Sequence, residues 1–274
     1  MVGRPVTAAP YYDDGTVTIY HGDALALLAD LDPLDVDAVI TDPPYSSGGA
    51  FRGDRILDTV AKYVQTSTGA YRPQFAGDNR DQRAYLIWAA LWLGAALAQA
   101  REGAHLAMFT DWRQLPTTTD AAQVGGWVWR GLGVWDKTEA ARPRMGGLTA
   151  QCEYIVWATA GPLDADRHPV FLPGVMRTPT VRDKVHIAEK PGAVLDWLVR
   201  LAPPGGLVLD PFMGSGSTLR AAKDQGRRAI GFDIDVRYCE MASKRMAQES
   251  LFLPAPPPPV QSQLESLFAE EAAP

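Results

Sequence analysis

This 274-residue sequence has few cysteines, no apolar run long enough to cross a membrane, and no excess of positive charge. Cys152 and Cys239 lie far apart and without metal-ligand spacing, which disfavours disulfides and zinc and predicts a reducing, cytoplasmic setting. The N-terminus lacks the basic-then-apolar pattern of a secretory signal. The net charge of −6 argues against a general nucleic-acid binder, so an enzyme acting on DNA would have to collect its positive residues on one face.

An apolar run with an abrupt stop is the most informative stretch that is present. Residues 36–41 predict a buried strand, and Asp42, Pro43, Pro44 and Tyr45 follow it. Two prolines cannot continue a strand inside a sheet, so the chain turns at the strand's carboxyl end, where open α/β sheets bind ligands. A carboxylate and a prolyl carbonyl can both accept hydrogen bonds from one exocyclic amino group, and a tyrosine can stack on the base carrying it. The alternative is a strand-ending turn with a surface tyrosine.

A second strand is followed by a glycine-containing turn. Residues 207–218 predict a strand, a turn and a helix start, and Gly214 and Gly216 allow positive φ and close approach of a ligand to the backbone. The next predicted strand, residues 228–233, ends at Asp233. An acid at the end of the second strand of such a unit is where the ribose hydroxyls of a nucleotide-like ligand are held.

Together, residues 42–45 and 210–218 resemble the amino-group DNA methyltransferases that use S-adenosylmethionine. The target-base motif precedes the cofactor motif, as in the β group of that family, and the resemblance runs roughly from residue 15 to residue 248. It implies an α/β fold with a doubly wound, mainly parallel, Rossmann-like methyltransferase sheet. An antiparallel edge hairpin, residues 127–137 and 153–158, and small inserted DNA-recognition segments complete the expected domain. In prokaryotes or their phages such an enzyme would be cytoplasmic.

The resemblance also implies roles for individual residues. The expected catalytic residues are Asp42, Pro43, Pro44 and Tyr45. The expected cofactor-binding residues are Asp23, Asp42, Lys190, Asp210, Phe212, Gly214, Gly216, Ser217, Thr218 and Asp233.

Three of these assignments leave alternatives open. Asp23 either contacts the adenine of the cofactor or simply caps the following helix, and both can hold. Lys190, in a Lys-Pro segment, either pairs with the cofactor carboxylate or is a solvated charge. Ser217 or Thr218 is predicted from the residues themselves to cap the helix after the glycine turn.

Three segments are predicted to contact DNA. Residues 46–81 carry a local surplus of positive charge with interleaved aromatics and predict a mobile lid, the alternative being an ordinary solvated loop. Residues 138–150 and 162–184 are candidate target-recognition inserts, in which arginine could read guanine or bind phosphate. The candidate DNA-binding residues are Arg52, Arg55, Arg72, Arg142, Arg144, Arg177, Arg182 and Lys184.

The catalytic domain is expected to end at residue 248. Residues 254–259 predict a stiff proline-rich linker within a tail spanning residues 249–274. The hexapeptide at residues 263–268 is similar to short clamp-binding motifs, which makes a sliding clamp a candidate partner. The residues that would dock are Gln263, Leu264, Leu267 and Phe268. The alternatives are a disordered tail and an edge-packing segment.

The expected function is adenine-N6 methylation of double-stranded DNA, because an aspartate at position 42 leans toward adenine in the family. The base would be flipped out, and methyl transfer would need no covalent intermediate. Cytosine-N4 methylation is the alternative reaction. A catalytically silent DNA- or clamp-binding protein and an RNA or protein methyltransferase are further alternatives, whereas a nicotinamide dehydrogenase would leave residues 42–45 unexplained. The recognition sequence, a homodimeric state and a partner restriction enzyme stay open.

Overall fold

The computed structural model describes residues 9–44, 80–139, 141, 145–180 and 190–248. Several predictions concern residues outside these ranges. They are the role of Tyr45, most of the lid at 46–81, the clamp-binding tail, and the DNA contacts of Arg52, Arg55, Arg72, Arg142, Arg144, Arg182 and Lys184.

The described residues form one nine-stranded sheet. The strands are β1 (Tyr12–Asp13), β2 (Val17–His21), β3 (Val36–Thr41), β4 (Ala100–Thr110), β5 (Val128–Asp136), β6 (Cys152–Thr159), β7 (Val175–Arg177), β8 (Leu207–Asp210) and β9 (Arg228–Asp233). Their order across the sheet is β1-β2-β9-β8-β3-β4-β6-β5-β7. Strands β2, β9, β8, β3 and β4 run parallel to one another, and β6 is antiparallel to both β4 and β5.

Helices cover both faces of the sheet, so the predicted doubly wound fold is confirmed. The helices are α1 (Ala24–Asp30), α2 (Gln82–Gln99), α3 (Leu115–Val124), α4 (Gly192–Leu198, continued as a 3-10 turn), α5 (Ser217–Asp224) and α6 (Val236–Ala247). Buried residues of α1 to α3 pack on one face, and those of α4 to α6 pack on the other. Among these described helices, none is both long enough and apolar enough to cross a membrane.

The winding reverses between β3 and β8. The helix after β3 packs on one face and the helix after β8 packs on the other, yet the two strands are parallel neighbours, with Ala38 beside Val208. Such a reversal opens a crevice at the carboxyl ends of the strands. The fold therefore brings residues 42–44 and the glycine turn to the same crevice, although they lie far apart in sequence.

The two sheet edges differ from the prediction. The antiparallel pair β5 and β6 is present, but β7 adds a parallel strand outside it. At the opposite edge, β1 pairs antiparallel with β2, although it lies before residue 15, where the family resemblance begins. Strands of two and three residues are too short to leave a recognisable hydrophobic period, so pattern reasoning misses them.

Candidate active site at the switch point

Four aspartates lie at the carboxyl ends of four neighbouring strands. Asp23 follows β2, Asp233 ends β9, Asp210 ends β8 and Asp42 follows β3. In sheet order these strands are β2-β9-β8-β3, and all four run in the same direction. The sequence thus predicted that the site lies at the carboxyl ends of the strands. The parallel sheet brings the four aspartates together there.

Asp210 joins the two motifs. It is 2% exposed, and its Oδ1 atom accepts hydrogen bonds from Thr41 Oγ1 at 2.7 Å and from the Phe212 amide at 3.1 Å. Burial raises the pKa of Asp210 to about 6 despite hydrogen bonds from Thr218 and Thr41. These contacts make Asp210 part of the turn itself, and its predicted contact with the cofactor stays a prediction.

The glycine turn is held by Asp233. The Gly214 amide donates to Asp233 Oδ2 at 3.1 Å, and the Asp235 amide donates to Oδ1 at 2.8 Å. Burial raises the pKa of Asp233 to about 6, although the hydrogen bond from Asp235 opposes that shift. A carboxylate in this position can accept hydrogen bonds from ribose hydroxyls, as the sequence predicted.

The residue that caps the helix after this turn is a glycine and not a residue with a hydroxyl side chain. Gly214 and Gly216 have φ of 50° and 78°, which confirms the predicted positive φ. The prediction that Ser217 or Thr218 caps α5 is wrong, because left-handed Gly216 occupies the cap position. A Cβ at Gly216 would lie 2.8 Å from the Cβ of Ala242, so close packing of α6 requires glycine here.

Aromatic rings of α2 pack against Phe212 in the turn. The ring of Phe212 lies 5.0 Å from that of Trp92 and 5.4 Å from that of Trp88, centroid to centroid. The guanidinium of Arg80 lies 4.1 Å from the Trp88 ring centroid. No local sequence pattern reports the contact between the tryptophans of α2 and Phe212.

Asp23 has the capping role that was expected of it. Its Oδ1 atom accepts a hydrogen bond from the Ala26 amide at 3.1 Å, at the start of α1. That confirms the structural alternative, and contact with the cofactor adenine stays a prediction alongside it.

Asp42 is part of a partly buried ionic network around the buried ammonium of Lys190. Lys190 Nζ lies 2.5 Å from Asp42 Oδ2 and 3.3 Å from Glu153 Oε2, and it sits 5.0 Å from the Phe109 ring centroid. Lys137 Nζ lies 2.8 Å from the other oxygen of Glu153. Burial disfavours the ammonium of Lys190, but the two carboxylates outweigh it and raise its pKa. Burial likewise disfavours the carboxylate of Glu153, yet Lys190 and Lys137 lower its pKa to about 2.

This network changes the interpretation of Lys190. Its side chain is 7% exposed, so the alternative of a solvated charge is wrong. Its predicted pairing with the cofactor carboxylate is untested, but the ammonium is already engaged by two protein carboxylates. Glu153 was missed as a site residue, and a charge at the start of a predicted strand was the only signal that pointed to it.

The arginines of the second insert lie in different places. Arg177, on β7, pairs with Glu139 and lies 3.5 Å from Asp136 while more than half exposed, so its predicted DNA contact stays open. Arg167 pairs with buried Asp37 near the amino end of β3. Because that is the opposite end of the strand from Asp42, this part of the insert anchors the fold away from the crevice.

The residues at the crevice fit S-adenosylmethionine. Asp233 offers carboxylate oxygens for ribose hydroxyls, Gly214 lets a ligand approach the backbone, and Phe212 offers an aromatic face for adenine. A doubly wound sheet with this set at its switch point defines a Rossmann-like methyltransferase.

Comparison with known proteins points to the same class. Residues 161–244 match the family model described as DNA methylase. Type II methyltransferase M.ScaI of Streptomyces caespitosus is 25% identical over 280 residues, which cover 88% of this chain and 84% of that protein.

Two solved structures share the fold. The M1.HpyAVI–SAM complex has a TM-score of 0.61 at 23% identity, covering 85% of this chain and 100% of that one. The cytosine-N4-specific PvuII DNA methyltransferase has a TM-score of 0.65 at 15% identity, covering 95% and 94%. In its two motifs, its fold and these matches, the chain is similar to the N6/N4 DNA methyltransferases, whose methyl donor is S-adenosylmethionine.

Proposed function

We propose that this protein methylates the N6 amino group of adenine in double-stranded DNA, with the target base flipped out of the helix. The observation that carries the proposal is the position of Asp42, at the switch point and one strand away from the glycine turn. In the family that the sequence resembles, an aspartate as the first of the four residues 42–45 is associated with adenine as the target base.

Asp42 and Pro43 would hold the amino group. A carboxylate and a backbone carbonyl are both acceptors, and the two amino protons can be shared between them. Accepting these protons makes the nitrogen more tetrahedral and frees its lone pair for attack. Asp42 polarises and positions the amine, which becomes strongly acidic only once it is methylated.

Other residues would position the two reactants. Asp233, Phe212, Gly214 and Gly216 would hold S-adenosylmethionine, which supplies an electrophilic methyl group on sulfur when bound. Tyr45, which lies outside the described residues, would stack on the flipped base. The reaction is a single transfer in which a nitrogen–carbon bond forms, a carbon–sulfur bond breaks and the nitrogen loses a proton. Positioning and electrostatics are sufficient for such a step.

Product analysis tests the proposal. The purified protein would be incubated with labelled S-adenosylmethionine and unmodified genomic DNA, and the DNA digested to nucleosides. We expect label in N6-methyl-2′-deoxyadenosine, lost in Asp42→Ala and retained in Asp120→Ala, a matched change at an exposed position on α3. Label in N4-methyl-2′-deoxycytidine would overturn the choice of base. Cofactor binding without labelled DNA would overturn the proposed reaction.

Cytosine-N4 methylation is the second candidate. Cytosine carries the same kind of amino group, so Asp42 and the Pro43 carbonyl could hold it in the same way. PvuII methyltransferase, which is named as cytosine-N4-specific, has a similar fold, so the fold is compatible with this candidate. At 15% identity the similarity concerns the fold alone.

A further inference from the structure

We infer that Lys190 is a positioning residue that acts through Asp42, and that Glu153 and Lys137 hold Lys190 in that place. The inference rests on the proposed function, because it concerns the same carboxylate. It gives Lys190 a different role from the cofactor-carboxylate contact that the family resemblance implies.

The ammonium of Lys190 has two carboxylates and one aromatic ring around it. An ammonium has three N–H donors and no acceptor. Its nitrogen lies 2.5 Å from Asp42 Oδ2 and 3.3 Å from Glu153 Oε2, and the ring face of Phe109 lies 5.0 Å away. Two carboxylates and an aromatic face therefore surround the amine. A cofactor carboxylate would have to displace one of these protein partners.

The charges in the network balance. Lys137, Glu153, Lys190 and Asp42 alternate in sign along one line of contacts, which gives two cations and two anions. Buried charges are tolerated when they are paired and costly when they are not. The raised pKa of Lys190 and the lowered pKa of Glu153 agree with this pairing. Removing the ammonium would leave two carboxylates close together inside the protein.

The network ties the catalytic turn to the antiparallel half of the sheet. Asp42 follows β3, Phe109 lies on β4 and Glu153 lies on β6, and these strands are consecutive neighbours. Lys137 follows β5, the next strand outward. The four neighbours named above therefore lie on sheet strands or directly after them. Lys190 reaches them from the segment just before α4. A carboxylate anchored in this way keeps its direction when the flipped base arrives.

Anchoring also favours the form of Asp42 that the reaction needs. A carboxylate only accepts hydrogen bonds, whereas a protonated acid donates one and would face the amino protons with its own. An ammonium at contact distance stabilises the carboxylate form. Lys190 thus contributes to methyl transfer without touching base or cofactor.

The test separates turnover from cofactor binding. The variants are Lys190→Met, Lys190→Arg and Glu153→Gln, with Lys244→Met as a control at an exposed helix pair with Glu240. The measured quantities are kcat at saturating S-adenosylmethionine and DNA, and the Kd of S-adenosylmethionine by calorimetry. Circular dichroism reports whether each variant is folded.

We expect the Lys190 variants to change kcat but not the Kd of S-adenosylmethionine. In Lys190→Met, kcat falls by about 100-fold, the scale of losing one electrostatic contact in an active site, while the Kd of S-adenosylmethionine changes by less than about threefold. Lys190→Arg restores part of kcat because it keeps the cation, and Glu153→Gln is intermediate because it removes a charge at nearly constant shape. Lys244→Met matches the wild type. A Kd at least about tenfold weaker, with unchanged kcat at saturation, would reassign Lys190 to the cofactor carboxylate and overturn the inference.

Failure of the proposed function would be recognised separately. If Lys190→Met does not fold, Lys190→Arg and Glu153→Gln carry the comparison. If the wild type binds S-adenosylmethionine but labels no DNA, the proposed function is contradicted. The Kd values then still decide whether Lys190 holds the cofactor. Equal Kd values in wild type and variants would show that Lys190 does not bind the cofactor carboxylate.

Discussion

Thr41 donates a 2.7 Å hydrogen bond to Asp210 across 169 residues of sequence, and this bond joins the carboxyl ends of β3 and β8. At the amino ends of the same two strands, Asp37 Oδ2 accepts a 2.8 Å hydrogen bond from the Leu207 amide. The two strands that carry the catalytic and cofactor motifs are therefore tied by an aspartate at each end. The crevice between the motifs is set by these ties together with the sheet hydrogen bonds.

The Thr41–Asp210 bond is predicted to contribute to stability. Thr41→Val keeps the shape of the side chain and removes the hydroxyl, leaving a buried carboxyl with one partner fewer. We expect the free energy of unfolding to fall by about 1–3 kcal/mol, the usual cost of an unmet buried hydrogen bond. Urea unfolding measures it, with Thr18→Val on β2 as the control. Equal stability of Thr41→Val and wild type would contradict the prediction.

Asp233 predicts a specific pH dependence of stability. Its folded pKa of about 6 lies above the ordinary value of about 3.9 for an unfolded aspartate. Between about pH 4 and pH 6, Asp233 therefore keeps its proton in the native state but has lost it in the unfolded state. The resulting stabilisation is complete below about pH 4 and disappears as pH rises through about 6.

Asp233→Asn tests this dependence. From pH 4 to pH 7, the stability of the wild type relative to Asp233→Asn should fall by about 2 kcal/mol, the scale expected for a shift of this size. Urea unfolding of both proteins across this range gives the difference curve. A flat difference curve would show that burial does not raise the pKa of Asp233.

The Lys190–Glu153 pair predicts non-additive effects on stability. Removing one member of this partly buried ion pair leaves the other charge uncompensated, at a cost that approaches about 3–5 kcal/mol only when a pair is fully buried. Lys190→Met should therefore cost less in a Glu153→Gln background than in the wild type. A double-mutant cycle by urea unfolding measures this coupling. Additive effects would mean that the two side chains do not interact energetically.

Arg167 and Arg177 are predicted to behave in opposite ways. Arg167→Met should destabilise the fold by about 1–3 kcal/mol, as expected for a hydrogen bond to a buried charge, because Asp37 is 3% exposed. It should leave the KM for DNA unchanged. Arg177→Met removes an exposed side chain from a candidate recognition insert, so it should raise the KM for DNA with little change in stability. The reverse pattern would contradict the placement of both arginines.

The parts of the fold that could be predicted are those with a strong local signal. Residues 36–41 and 228–233 were predicted as strands and are strands with those bounds, since each is a mainly apolar segment with a clear stop. The glycine turn was predicted from Gly214 and Gly216, whose conformational freedom is a property of the residue itself.

The rest depends on contacts that no local pattern encodes. Lys190 and Glu153 meet only because the crossover after β6 returns the chain to the switch point, and nothing near either residue distinguishes a buried ion pair from a surface charge. Arg167 shows the same limit, because it lies in the second candidate recognition insert and instead pairs with Asp37. Strands β1 and β7 were missed because they are short.

The most direct test of the account is mass spectrometry of nucleosides from DNA methylated by the wild type and by Asp42→Ala. We expect N6-methyl-2′-deoxyadenosine from the wild type and its loss in Asp42→Ala, with cofactor binding retained in both proteins. N6-methyl-2′-deoxyadenosine formed equally by Asp42→Ala would contradict the central role of Asp42. N4-methyl-2′-deoxycytidine as the product would contradict the assignment of adenine as the target base.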